Sequence, residues 1–216
     1  MRKKIILLLL HLFILNLACD SSLKNVRPVQ MQFIVNSQIV SYTVMEYNDR
    51  GDIVRLTEYE NGAIKRYNEY SYDIYGVLSQ QKVYDGAYRL LETTKFIYDS
   101  SGDLKEERDY SPDNRLVEYS VYLYKNNRIV RIEIFNPDKK MNRFTEFSYS
   151  SKRLESILFD YVREYTMRAN CIYDENSLLT GYTVDHSSFR GKGTAVVKFI
   201  YEDGPVTEQA WRLLIR

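Results

Sequence analysis

The chain has 216 residues, with 30 basic and 29 acidic side chains and a formal net charge of +1, so no global basic field is available to attract nucleic acid. Two histidines and two cysteines leave little for imidazole-based catalysis, histidine-rich metal sites or a disulfide framework. Twenty tyrosines against nine glycines and four prolines point instead to aromatic-rich β-structure.

In chain order, the first segment is Arg2-Lys3-Lys4, then an apolar run from Ile5 to Leu15 broken only by His11, then Leu15-Asn16-Leu17-Ala18-Cys19. A basic start, a short apolar stretch and a small residue before the cut form an export signal, and the run is shorter than the ~20 residues of a spanning helix. Leu15 to Cys19 resembles the lipobox of bacterial lipoproteins. The resemblance implies cleavage before Cys19, acylation of its thiol and a lipid tie to a bacterial membrane, inner or outer. Removing residues 1–18 takes Arg2, Lys3 and Lys4 and no acid from the 30 basic and 29 acidic side chains, for a mature net charge of −2. Residues 19–30 read as an unpatterned tether, and residues 31–216 as a single domain.

Within that domain the text repeats. Tyr47, Tyr72, Tyr98, Tyr124, Tyr149, Tyr173 and Tyr201 recur every 24 to 28 residues. Turn signals follow several of them: Tyr47-Asn-Asp-Arg-Gly51, Tyr72-Asp-Ile-Tyr-Gly76 and Tyr98-Asp-Ser-Ser-Gly102. Two residues before each sits another side chain of one class: Met45, Tyr70, Phe96, Tyr122, Phe147, Cys171 and Phe199. Period-2 spacing places both members of a pair on one face of a strand. A second series, Tyr59, Tyr84, Tyr110, Phe135 and Tyr161, falls midway. Each period is therefore one β-hairpin. The chain is expected to be all-β, an antiparallel up-and-down meander of 12–14 strands, strongly curved or closed into a barrel because flat sheets of that width curl.

The unit Tyr-Asp-x-x-Gly-x-Leu resembles the YD repeats of RHS-type proteins, over about residues 40 to 204. That likeness implies a curling β-wall; the units at Tyr124, Tyr149 and Tyr201 depart from it by losing Asp, Gly or spacing. Gly51, Gly76 and Gly102, with Asn126-Asn127 at the equivalent loop, supply positive φ, and Asp73, Asp99 and Asp174 cap their own turns. Val206 to Arg216 reads as either a short helix plugging one end or a last strand.

Candidate chemistry is sparse. The ladder tyrosines Tyr72, Tyr98, Tyr124 and Tyr149 offer a stacking surface for ligand, and His186 sits in a stretch, Asp185 to Gly193, that reads as an enlarged loop. Cys171 takes the place of an aromatic in the repeat and reads as a buried hydrophobe. Asp49, Asp52, Asp99 and Asp103 read as turn caps rather than calcium ligands. Glu92 and Glu118 are the mid-strand acids that could flank a sugar in a carboxylate-based hydrolase. No cofactor and no metal is expected. The expected function is non-enzymatic: a tethered envelope lipoprotein binding a glycan, peptide or protein. The alternatives are a structural surface lipoprotein and the hydrolase. An open meander would also expose edge strands, a route to a homodimer.

Overall fold

The computed structural model describes residues 26–151, 153–161, 165–176, 178–188 and 191–203. Cys19, the export signal and the segment 206–216 lie outside them. The elements in order are β1 (Val26–Val35), β2 (Gln38–Tyr47), β3 (Ile53–Glu60), β4 (Ala63–Tyr72), β5 (Leu78–Asp85), β6 (Leu90–Tyr98) and β7 (Leu104–Tyr110). They continue as β8 (Leu116–Lys125), β9 (Arg128–Phe135), β10 (Met141–Ser150), β11 (Arg153–Tyr161), β12 (Tyr165–Tyr173), β13 (Leu179–Ser188) and β14 (Gly191–Asp203). Neighbours in sequence pair antiparallel, and β14 pairs with β1 to close a fourteen-stranded barrel.

Closure removes the ground for dimerisation by edge addition: the outer strands of the meander bond to each other, with Phe199 opposite Met31 and Val197 opposite Phe33. Two sequence boundaries also move. β1 begins at Val26, so residues 26–30 belong to the wall rather than to a tether; Pro28 is among the most completely buried side chains of the protein. Asp185–Ser188 and Gly191–Gly193, read from sequence as part of an enlarged loop, are strand ends of β13 and β14, with Asp185 opposite Thr194 and His186 opposite Gly193. Polar and glycine-rich residues there mimic loop composition, but the ladder hydrogen bonds of a long hairpin override it.

The turns behave as their chemistry requires. Gly51, Gly76 and Gly102 have φ of 82°, 81° and 84°, and Asn126 and Asn127 have 52° and 58°. Asp99 Oδ1 accepts from the backbone N–H of Ser101 and Asp103, and Asp73 Oδ1 from those of Tyr75 and Val77.

Counting back from each ladder tyrosine in steps of two gives the inner layers. The register carries this parity around the barrel, because partners such as Thr94 and Asp109, then Asp109 and Glu118, face the same side. The first layer is the ladder itself, at the end where the chain enters. There each hydroxyl donates to a backbone carbonyl on the adjacent strand: Tyr47 to Pro28, Tyr72 to Ile53, Tyr98 to Leu78, Tyr124 to Leu104, Tyr149 to Ile129, Tyr173 to Leu154 and Tyr201 to Leu179. All seven bonds cross seams that no turn joins at this end. Met45, Tyr70, Phe96, Tyr122, Phe147, Cys171 and Phe199 form the second layer; all but Cys171 are buried, and Cys171 packs against that core. Burial pushes its thiol up to about 12, which suits an inert filler.

A third layer is small: Thr43, Asn68, Thr94, Ser120, Thr145, Ala169 and Val197. Opposite the layers, Ile53, Leu78, Leu104, Ile129, Leu154 and Leu179 are between 0% and 7% exposed. The entry end is thus filled by packed side chains.

Tyr124→Phe removes one seam bond and is expected to cost about 1 kcal/mol, lowering Tm by roughly 2–4 °C in a chain of this size. Tyr119→Phe on the outer face should shift stability by less than about 0.5 kcal/mol; equal shifts in a thermal melt would refute the seam role. At Gly181 an added Cβ would lie 2.2 Å from the Val197 carbonyl oxygen. Gly181→Ala is therefore expected to destabilise by about 1–3 kcal/mol in denaturant unfolding.

Candidate functional site

The fourth inner layer breaks the uniformity of the other three. Six residues before each ladder tyrosine stand Ser41, Arg66, Glu92, Glu118, Arg143, Met167 and Ala195. Four consecutive hairpin strands therefore carry charge inward, in the order plus, minus, minus, plus, while the rest of the circle is small or apolar. The intervening β7 adds Glu107 and Asp109. Arg66, Glu92, Glu107, Asp109, Glu118 and Arg143 line a cavity of about 250 Å³ on the inner wall of β4 to β11. Val83, Ile132, Ile134, Phe147 and Phe159 give it apolar surface; Gln81, Thr94, Ser120 and Tyr161 add polar contacts.

The charges are held unequally. Arg143 binds Glu118 through both terminal nitrogens, Nη1 reaching Oε2 at 3.1 Å and Nη2 reaching Oε1, and its guanidinium lies 5.8 Å from the Tyr161 ring centroid. Its Nε is buried with no hydrogen-bond partner. Burial works against the Arg143 charge, but the Glu118 carboxylate outweighs it and raises the pKa. Thr94 Oγ1 donates to Asp109 Oδ1 at 2.6 Å, and the Tyr122 hydroxyl donates to Glu107 Oε1 at 2.6 Å. Asp109 sits directly opposite Glu118 in the ladder, where facing Cβ atoms are about 5 Å apart.

Burial, then the negative charges of Glu92 and Glu107, lift Asp109 well above the usual carboxylate range. Burial, then Glu118, lifts Glu92. On β4, burial lowers the pKa of Arg66, opposed by Glu58 and Glu92. Glu58, 3% exposed, meets Lys65 Nζ at 2.7 Å through Oε1 and leaves Oε2 without a partner. Among the described residues no group of three His, Cys, Asp or Glu side chains is arranged to hold a metal ion.

The sequence candidates separate here. Glu92 and Glu118 come together in the cavity. Tyr72, Tyr98, Tyr124 and Tyr149 do not line it; they lie at the opposite end, with their hydroxyls on the seams. The backbone of His186 pairs with Met167 and Gly193, away from the charged wall. Asp109, Arg66 and Arg143 were not singled out from sequence, although counting back six residues from each ladder tyrosine finds both arginines. The half-exposed aromatics are a different set, on the outside near the mouth: Tyr42 stacks on Tyr59 with centroids 4.7 Å apart, Tyr84 on Tyr88 at 4.6 Å and Tyr119 on Phe135 at 5.2 Å.

No family model matches the chain, and no curated protein matches it. Among solved structures the barrel is similar to a porin-like protein from Bacteroides uniformis, with 11% identity and a TM-score of 0.52 over 83% of this chain and 96% of that one. A chain in the Photorhabdus luminescens Tc holotoxin pore matches at 14% identity and a TM-score of 0.34, covering 76% of this chain and 11% of that one. The first likeness is one of fold. A barrel that spans a bilayer turns an apolar band outward. Here Lys95, Arg108, Arg168 and Lys198 are exposed on the outer face, and much of the inner face is dry. No helix among the described residues is long and apolar enough to cross a membrane, which says nothing of strands.

The raised acids have a pH consequence. Because the folded pKa of Asp109 exceeds its unfolded value of ~3.9, the folded state holds the proton more tightly, and stability falls as pH rises from about 4 through the raised value. Asp109→Asn is therefore expected to stabilise the protein at pH 8 and to have its smallest effect near pH 4. A denaturation series showing the reverse trend would refute the assignment.

Proposed function

We propose that the protein is a non-enzymatic binding barrel of a bacterial envelope, tied to a membrane by lipid on Cys19, that takes a small polar portion of a glycan or peptide into its lumen. The cavity carries this reading: it is concave, part apolar and furnished with a few convergent charged groups, as ligand sites are. Carboxylates and arginines suit the donors and acceptors of sugar hydroxyls or peptide amides, and Phe147, Phe159 and Tyr161 offer ring surface. The likeness to YD repeats fits a wall that encloses space.

The point of entry adds an orientation. β1 leaves the tyrosine-filled end, and the seven steps from Cys19 to Val26 span at most about 25 Å. A lipid on Cys19 would hold the packed end towards the membrane and turn the mouth outward.

Two experiments check this. Cys19→Ala should move the protein from the membrane to the soluble fraction, and mass spectrometry of the mature N-terminus should find an acylated cysteine; an unmodified one refutes the tether. Ser120→Trp should fill the cavity and abolish binding of whatever glycan or peptide an array of envelope fragments identifies, with the β circular-dichroism spectrum retained. Unchanged binding by this variant would place recognition elsewhere.

A further inference from the structure

The turns at the entry end provide an internal comparison. The backbone closes in the same way at Asn48–Asp52, Asp73–Val77 and Asp99–Asp103: the N–H of the first residue donates to the last carbonyl, and the glycine N–H donates to the first. The two tip residues are Asp49-Arg50 in one turn and Ser100-Ser101 in another, and Glu175-Asn176 holds the same place after Tyr173. In the β4–β5 turn they are Ile74 and Tyr75, at 90% and 83% exposure. The turn geometry does not call for apolar tips, since its polar copies close equally well. At such exposure the pair adds almost no packing to the barrel, and Val77 is exposed beside it. Adjacent apolar side chains that the fold does not use are a mark of an interaction surface.

The tip is also held ready. Asp73 Oδ1 accepts from the N–H groups of Tyr75 and Val77. The Arg50 guanidinium, ion-paired to Asp52 at 2.8 Å, lies against the turn at Gly76, where an added Cβ would come within 2.7 Å of its Nη1. A braced tip loses little freedom on binding. The outer surface at this level agrees with it. The residues just before the ladder tyrosines include Ile97, Leu123, Ile172 and Ile200, the last three exposed. Two positions nearer the mouth, the outward series instead includes Glu69, Lys95, Glu146 and Lys198. The apolar tip therefore stands on the end of the barrel with the more apolar rim, and that is the end at which the chain enters.

We propose that the β4–β5 turn is a membrane contact, with Ile74 entering the acyl boundary of a lipid bilayer and Tyr75 lying at headgroup level. This deepens the reading of Cys19 as a lipid anchor and rests on it. From Cys19 to Val26 the chain spans at most about 25 Å. That is no more than the roughly 25–30 Å width of a barrel of fourteen tilted strands, so a lipid there keeps the entry end against the bilayer. An aromatic ring with a polar hydroxyl suits the interface, and the branched aliphatic beside it suits the hydrocarbon edge. The polar tips at Asp49-Arg50 and Ser100-Ser101 flank the contact and stay among water and headgroups. Insertion of the turn fixes the tilt and rotation that a lipid tie alone leaves free, and with them the direction of the mouth.

The test uses the mature protein as purified, reconstituted with vesicles of phosphatidylethanolamine and phosphatidylglycerol that carry brominated acyl chains. Trp211→Phe clears the background, and Tyr75→Trp or, at the mouth, Ala87→Trp supplies the probe. The indole at position 75 should be quenched by bromine, and the one at position 87 should not. Adding Ile74→Ser should lower the inserted fraction about tenfold, the worth of one aliphatic side chain returned to water, with the β circular-dichroism spectrum unchanged. An unquenched indole at position 75, in a folded chain that floats with the vesicles, would overturn the contact and leave the anchor standing. An unacylated chain that does not float would overturn the anchor and the contact with it. In lipid-free buffer, with Cys19→Ala, the indole at position 75 should emit as in water. A blue-shifted emission there that reddens when residues 206–216 are removed would give the tip to the end of the chain itself and overturn the bilayer.

Discussion

Seven tyrosine hydroxyls, each on a carbonyl of the neighbouring strand, are the constraint on which the barrel depends. A meander is joined at one end by turns only at alternate seams. At the entry end the joined seams are β2–β3, β4–β5 and so on, and the others are held by ladder hydrogen bonds alone. The tyrosines close those open seams one by one, including β1–β2 through Tyr47 and β13–β14 through Tyr201. Each bond is worth only about 1 kcal/mol net, but each also fixes a ring against the core, which sets the depth of the next layer. Arg27, Arg128 and Arg153 lie over the Tyr47, Tyr149 and Tyr173 rings at centroid distances of 4.8–5.5 Å and cover them from the rim.

Closure follows from the same rule. Tyr201 faces Pro28 across β14 and β1, as Tyr72 faces Leu78 and Tyr98 faces Leu104 within covalent hairpins. The join between the first and last strands thus imitates a hairpin without its turn. Because Pro28 has no N–H to offer, it suits a place where the register shifts, between Pro28 and Gln30. The buried ring of Ile53, Leu78, Leu104, Ile129, Leu154 and Leu179 then packs beneath the tyrosines and leaves the opposite half of the lumen free to hold charge.

The outer face carries charge at Lys95, Arg108, Arg168 and Lys198 beside exposed Val117, Leu123, Ile172 and Ile200, while much of the inner face is buried apart from one charged wall. Polar residues at the third layer, Thr94 and Ser120 among them, soften the passage from the apolar floor to the acids. Thr94 does so directly by donating to Asp109. The site is therefore built by small departures within a repeat rather than by an added loop or domain.

The sequence by itself determined the hairpin period, the parity of the strands, the turn chemistry at Gly76 and Asp99, and the role of Cys171 as a filler, because each depends on residues close in the chain. It also marked Glu92 and Glu118 as the acids to watch. Only the tertiary structure decided that the sheet closes, that Val26 to Gln30 form wall, that Asp185 to Ser188 and Gly191 to Gly193 form strand, and that the ladder tyrosines put their hydroxyls on the seams. Those outcomes turn on pairings between residues far apart, such as Pro28 with Tyr201, and on which carbonyl a hydroxyl can reach. The cavity is of the same kind: Arg66 and Arg143 are 77 positions apart in sequence, and the curvature of the closed wall puts them on the same surface.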